Sequence, residues 1–227
     1  MDYYFISYGL TFVAMIITIA AQGFVSGSYS KYSGIKNVRG MTGREVARKI
    51  LDDNGLQDVD VLEVGGYLSD HYDPKNKVVR LSSNIYSDCS IASVSVASHE
   101  CGHAIQDKNG YLFMRIRSSM VPIVNFSSYA GYIAIMIGIF ASSFEIIWIG
   151  IFLEMAILLF QIITLPVEFD ASKRALMEIK TRKILNDEEL KQGRMMLFSA
   201  ALTYVASVAN VLLQILRLIL LYGRRDD

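Results

Sequence analysis

Four runs of apolar residues, each long enough to cross a bilayer, decide what this chain can fold into. From Tyr3 to Ser30 there is no Asp, Glu, Lys or Arg, and Tyr3 to Val25 is apolar enough to span. A bilayer core needs about 20 such residues. Further runs extend from Val121 to Phe144, from Ile146 to Val167 and from about Met196 to Tyr222. The Ser142–Glu145 link is too short for a domain, so the second and third runs should form a tight helical hairpin. Met1-Asp2 offers no positive n-region and the first run outlasts a typical signal-peptide core, so it reads as a retained anchor.

The polar remainder is small, and charged residues make up only 19% of the chain. A soluble domain carries about 25%. Lys and Arg number 22 against 22 Asp and Glu, which leaves no basic excess to neutralise phosphates and argues against nucleic acid as a partner. Two cysteines and three prolines exclude a disulfide scaffold and a Pro-rich linker protein. Four spans put residues 31–120 and 168–195 on one side of the membrane. That side holds every Lys and Arg except Arg217, Arg224 and Arg225. The excess of Lys and Arg in cytoplasmic segments of membrane proteins then places both polar regions in the cytoplasm.

Residues 31–87 read as a small mixed α/β unit. Thr42-x-x-Glu45 is a capping box that opens a short helix, and Gly55 stops it. Asp58 to Val64 alternates like a half-buried strand, and Gly65-Gly66 breaks it. The turn Asp73-Pro74-Lys75-Asn76 leads into a second strand, Lys77 to Ser82. This strand reads equally well as a covered strand and as an exposed edge that pairs with an extended peptide.

The next helix, about Asp88 to Asp107, contains His99-Glu100-Cys101-Gly102-His103, an H-E-x-x-H pattern. Residues four apart on a helix differ by about 40° in azimuth, so both imidazoles point to one place and can hold a single Zn²⁺. Glu100 flanks that place and can act as general base on water the ion has acidified. Two of the three histidines in the chain are spent here. The plainer alternative is two polar residues sharing one face of a core helix.

A catalytic zinc keeps three protein ligands and one open position. Positions 106 and 109 are Gln106 and Asn109, which excludes the H-E-x-x-H-x-x-G-x-x-H arrangement. Cys89 lies about 15 Å along the helix and Cys101 points about 200° away from His99. A glutamate on another helix is the common remaining solution. Glu168-Phe169-Asp170-Ala171-Ser172 follows Pro166 at the cytoplasmic end of the third run, opening a polar helix that runs to about Leu185. Two spans separate His99 from Glu168, which puts them on the same side. Glu168 could otherwise be an acid favoured by a helix dipole.

Asp73-Pro74, Val79-Arg80-Leu81-Ser82, Ile91-Ala92, the run His99 to Gln106 and the run Leu165 to Ser172 together resemble the YugP-type neutral zinc metallopeptidases of bacterial membranes. The likeness extends to length, leading anchor and span order. A more distant similarity is to HtpX-like and CAAX prenyl proteases, which carry a ligating Glu in an E-x-x-A-D motif. Here the Ala is Ala171, but the Asp position holds Ser172, and Asp170 is on the wrong side of a regular helix to replace it directly. The resemblance implies a zinc-dependent metalloendopeptidase that hydrolyses peptide bonds.

The expected fold class is a mainly α membrane protein: about four transmembrane helices with a small α+β gluzincin-like metalloprotease domain on the cytoplasmic side. Its expected parts are an anchor (1–30), a cytoplasmic α+β region with the H-E-x-x-H helix (31–118), a transmembrane hairpin (119–167), a cytoplasmic helix carrying the third ligand (168–195), a last span (196–222) and a tail (223–227). One Zn²⁺ per chain is expected on His99, His103 and Glu168, with Glu100 as general base. His71, Tyr72 and Arg174 are candidate oxyanion donors, and Asp170 and Ser172 candidate partners of the metal ligands. The expected partners are a peptide or protein substrate, including membrane-associated ones, and the lipid bilayer. Glu154, deep in the third run, should pair with Arg217 or Gln214 on the fourth, because a lone carboxylate there is costly. The competing functions are an inactive membrane-anchored scaffold or zinc-binding interaction protein, and an ion carrier, for which Glu154 alone is thin support.

Overall fold

The computed structural model describes residues 2–222, so the tail expected at 223–227 lies outside the described residues. Seven helices and three strands follow one another: α1 (Asp2–Ser33), α2 (Gly43–Asp53), β1 (Asp60–Val64), β2 (His71–Asp73), β3 (Val78–Ser82), α3 (Ser83–Ser87), α4 (Ile91–Lys108), α5 (Leu112–Phe140), α6 (Phe144–Thr181) and α7 (Asp187–Tyr222). Helices α1, α5, α6 and α7 are long and apolar enough to cross a membrane. Two compact units result among the described residues, one of residues 2–22, 115–165 and 203–222, the other of residues 23–114 and 166–202.

The first unit is helical. Large apolar side chains such as Phe5, Phe12, Phe126, Phe140 and Phe152 point outward, as they do where lipid is the solvent. Its buried cluster is Ile147, Ile151, Ile215 and Leu218, joining α6 to α7. The α5–α6 hairpin closes tightly because Gly138 has no side chain: a Cβ there would stand 2.8 Å from the backbone nitrogen of Ile147. Small residues serve this purpose between membrane helices. The expected Glu154–Arg217 pair does not form. Arg217 instead donates from Nε to Ser7 Oγ at 3.2 Å, since α1 brings a hydroxyl within reach of the guanidinium.

The second unit holds the sheet and most of the buried core. Helix α2 begins at the Thr42 capping box and ends at Asn54, with Gly55 following at φ +67°. Val46, Ala47, Ile50 and Leu51 form its inward face and pack in one cluster with Ile91, Val94, Ala97 and Cys101 of α4. Burying a branched aliphatic side chain contributes about 1.5–3 kcal/mol, so this two-helix contact anchors α4.

Strand β3 is central, with β1 parallel on one side and β2 antiparallel on the other. Lys77 to Ser82 is therefore not a free edge, because the short strand β2 occupies the side a peptide would need. The hairpin turn is β2–Asp73-Pro74-Lys75-Asn76–β3, with Asp73 Oδ1 accepting from the backbone N–H groups of Lys75 and Asn76. Tyr72 Oη and Lys77 Nζ both donate to Asp107 at 2.8 and 2.6 Å, fastening the sheet to the end of α4.

Helix α6 differs from the expected break after the third run. It continues through Pro166 to Thr181 as one helix. A proline removes one backbone donor and disfavours a soluble helix, but apolar spans tolerate it because neighbouring groups satisfy the freed carbonyl. Continuity matters for the site: it fixes Glu168 and Ser172 on one face, one turn apart.

Candidate metal centre

Helix α4 opens at Ser90, whose hydroxyl accepts from the Ser93 N–H. It is buried around most of its circumference, from Ile91 through Gln106. Its small residues permit that. Gly102 is the tightest point, where a Cβ would stand 2.5 Å from the carbonyl oxygen of Ala171. This close backbone approach of α4 to α6 lays His99 and His103 against Glu168.

The three side chains converge. Glu168 Oε2 lies 3.2 Å from His99 Nε2 and 3.6 Å from His103 Nε2. One donor atom from each residue falls within 4.8 Å of the others, and the described residues contain no other grouping of this kind. The imidazole rings stand edge to face, with centroids 4.8 Å apart. Glu168 is almost wholly buried, and His103 is nearly so. Two imidazole nitrogens and one carboxylate oxygen close to one another could hold a metal ion, and zinc accepts donors of these types.

The far edge of the His103 ring shows which of its nitrogens carries a proton. Gln106 Nε2 donates to the Val167 carbonyl at 2.8 Å and to Asp170 Oδ2 at 2.9 Å. Both partners only accept, so the amide nitrogen must face them. Gln106 Oε1 then faces His103 Nδ1 at 3.0 Å, and that nitrogen must carry the proton. An imidazole with a proton on Nδ1 has its lone pair on Nε2. His99 Nδ1 meets Ser172 Oγ at 3.1 Å, a hydroxyl that can either accept from or donate to it. Such outer contacts orient metal-binding histidines and select the tautomer.

Glu100 is buried beside these residues, 7% exposed, and no hydrogen bond from a described residue reaches its carboxylate. Burial pushes its pKa above the ordinary glutamate range; His99 and His103 oppose that shift, and the charges of Glu168 and Asp70 reinforce it. Burial presses His103 in the opposite direction, but the Glu168 carboxylate outweighs burial and leaves its pKa raised. The Cys101 thiol is fully buried, its Sγ 3.6 Å from the Ala47 carbonyl on the side away from the cluster.

The other candidate residues divide. Ser172 touches a cluster histidine directly, and Asp170 reaches His103 through Gln106, held in turn by Arg174 Nε. Arg174 also lies over the Tyr111 ring at 5.9 Å, so its charge is spent behind His103. Tyr72 is turned to Asp107. His71 is exposed, with Nδ1 at 2.8 Å from the Ser69 carbonyl and Nε2 beside Arg80. None of these three presents a donor to the cluster. Gln106 was missed as a functional residue, although its place three residues after His103 on the same helix face was a usable signal.

A family model described as "Putative neutral zinc metallopeptidase" matches residues 7–223 of the chain. The "Putative membrane protease YugP" of Bacillus subtilis (strain 168) is 42% identical over 219 residues, covering 96% of this chain and 97% of that protein. No solved structure matches.

Proposed function

The chain belongs to the zinc-metallopeptidase family whose model it matches over nearly its whole length, and from that premise we propose that it is a multi-pass membrane metalloendopeptidase of gluzincin-like design. His99, His103 and Glu168 hold one Zn²⁺ per chain. Glu100 is the general base, and the site faces the cytoplasm, a reading that the distribution of Lys and Arg supports. The substrate is a peptide or protein presented at or near the membrane.

One observation carries this reading: two imidazoles of α4 and a carboxylate of α6 converge beside the buried Glu100 carboxylate, which no hydrogen bond from a described residue reaches. A purely structural zinc wants four protein ligands and has no use for such a base. When bound, Zn²⁺ supplies Lewis acidity, lowering the pKa of water towards about 7 and polarising the scissile carbonyl.

The chain's own groups do the rest. Ser172 and Gln106 hold the two imidazoles in the orientation and tautomer that expose Nε2. Burial raises the proton affinity of Glu100, which suits a group that must take a proton from the attacking water and then deliver it to the leaving amine. General acid–base catalysis of this kind contributes about 10²–10⁴-fold.

The test pairs wild type with Glu100→Gln, each purified and zinc-loaded, and measures bound zinc and hydrolysis of an unstructured protein such as casein. The variant should keep zinc and lose at least about 100-fold in turnover. Equal turnover in the two proteins would overturn the role of Glu100.

A further inference from the structure

The second unit carries a groove that the proposed chemistry does not use. It has a volume of about 440 Å³ and lies between α6 and the first part of α7, within the roughly 300–1,000 Å³ of small-molecule sites. Its lining comes from Phe169 to Lys180 of α6 and from Leu190 to Ala201 of α7.

Its two ends differ in chemistry. At one end Phe169, Leu197, Phe198 and Ala201 form an uncharged wall. Phe169 and Phe198 are about half exposed. From this end α6 runs back through Pro166 into its apolar segment, and α7 runs on into its own. About one turn further in, Lys173 and Arg194 line the groove, and Lys180 follows two turns later. No carboxylate lines it. None of the three cations forms an ion pair with a described residue, although the same stretch of α6 pairs Arg174 with Asp170 and Arg182 with Glu178.

An apolar end that continues into membrane-spanning helices, followed by a cluster of unneutralised cations, is the pattern of a site for an anionic lipid headgroup with its acyl chains attached. A second observation separates the occupant from a peptide under hydrolysis. Ser172 lines this groove and meets His99 at Nδ1, on the ring edge away from the donor cluster at Nε2. A molecule in the groove therefore lies behind His99. We propose that the α6–α7 groove binds one anionic phospholipid, its head on Lys173, Arg194 and Lys180 and its chains along Phe169, Leu197 and Phe198. The site stands independently of the hydrolytic reading, because nothing in it depends on zinc.

The experiment is native mass spectrometry of the full-length, detergent-purified protein titrated with phosphatidylglycerol or with phosphatidylcholine of the same chains. Wild type should retain one phosphatidylglycerol in preference to phosphatidylcholine. Lys173→Glu/Arg194→Glu should weaken that retention about tenfold or more, with its phosphatidylcholine adducts unchanged as evidence of intact folding. Lys173→Arg/Arg194→Lys should bind as wild type, and Lys180→Glu alone should show a smaller loss. Equal retention of the two lipids by wild type, or phosphatidylglycerol binding untouched by charge reversal, would overturn the proposal. So would displacement of the lipid by an acidic amphipathic peptide at lower concentration than added phosphatidylglycerol, which would assign the groove to protein partners.

Discussion

Ser172 Oγ lies 3.1 Å from His99 Nδ1, one helical turn beyond the carboxylate that faces Nε2 of the same ring. Continuous α6 thus holds both edges of one imidazole with residues at i and i+4. A hydroxyl stands where the related E-x-x-A-D pattern has a carboxylate, and it contacts the ring without adding charge. Ser172→Ala removes this partner of Nδ1 and should weaken zinc binding about 10–100-fold. Competition against a zinc-binding dye reads this directly. Unchanged affinity would mean that the ring is oriented by packing alone.

The other histidine depends on Gln106. Gln106→Leu keeps the volume but removes both the acceptor for His103 and the two donors to Val167 and Asp170. Zinc affinity should fall by a similar factor of about 10–100. Asp170→Asn should cost less, because the Val167 carbonyl still fixes the Gln106 amide. If Asp170→Asn were as damaging as Gln106→Leu, the carboxylate charge rather than the orientation of Gln106 would be the active element.

Gly102 sets how closely α4 approaches α6. Gly102→Ala places a methyl group 2.5 Å from the Ala171 carbonyl oxygen, and backbone cannot yield as a flexible side chain can. Overpacking of this kind costs about 1–3 kcal/mol. The displacement moves Glu168 away from the histidines, so both the unfolding temperature in detergent and the zinc content should drop. A stable variant with full zinc would show that the helices can separate without opening the cluster.

Topology is testable with single cysteines in a background where Cys89 and Cys101 are replaced. Lys75 sits in the β2–β3 turn and Ser142 in the α5–α6 turn, both exposed. A membrane-impermeant maleimide applied to intact cells should label Ser142→Cys and spare Lys75→Cys until the membrane is permeabilised. The reverse pattern would move the site to the outer face.

What could be read from residue order was mainly local. The H-E-x-x-H spacing determines how two imidazoles share a helix face, and the Thr42–Glu45 capping box marks the start of α2. Glu168 is 69 residues from His99, and span counting could place it only on the same side of the membrane; the Gly102–Ala171 approach brings it to the ring. Asp170 meets Gln106 rather than a histidine, a route that depends on amide geometry no spacing encodes. Strand β2 was not anticipated because three residues leave no alternation to detect, and that hid the central position of β3. Pro166 read as a helix break because its cost in water was carried over to an apolar helix that continues through it.

The central claim is that His99, His103 and Glu168 bind one zinc ion. X-ray absorption at the zinc edge of the stoichiometrically loaded protein tests it most directly. The spectrum should show only nitrogen and oxygen neighbours at about 2.0–2.2 Å, two of them with imidazole scattering, and Glu168→Ala should lose the bound metal. A sulfur neighbour at about 2.3 Å, a single imidazole, or full zinc retention in Glu168→Ala would contradict it.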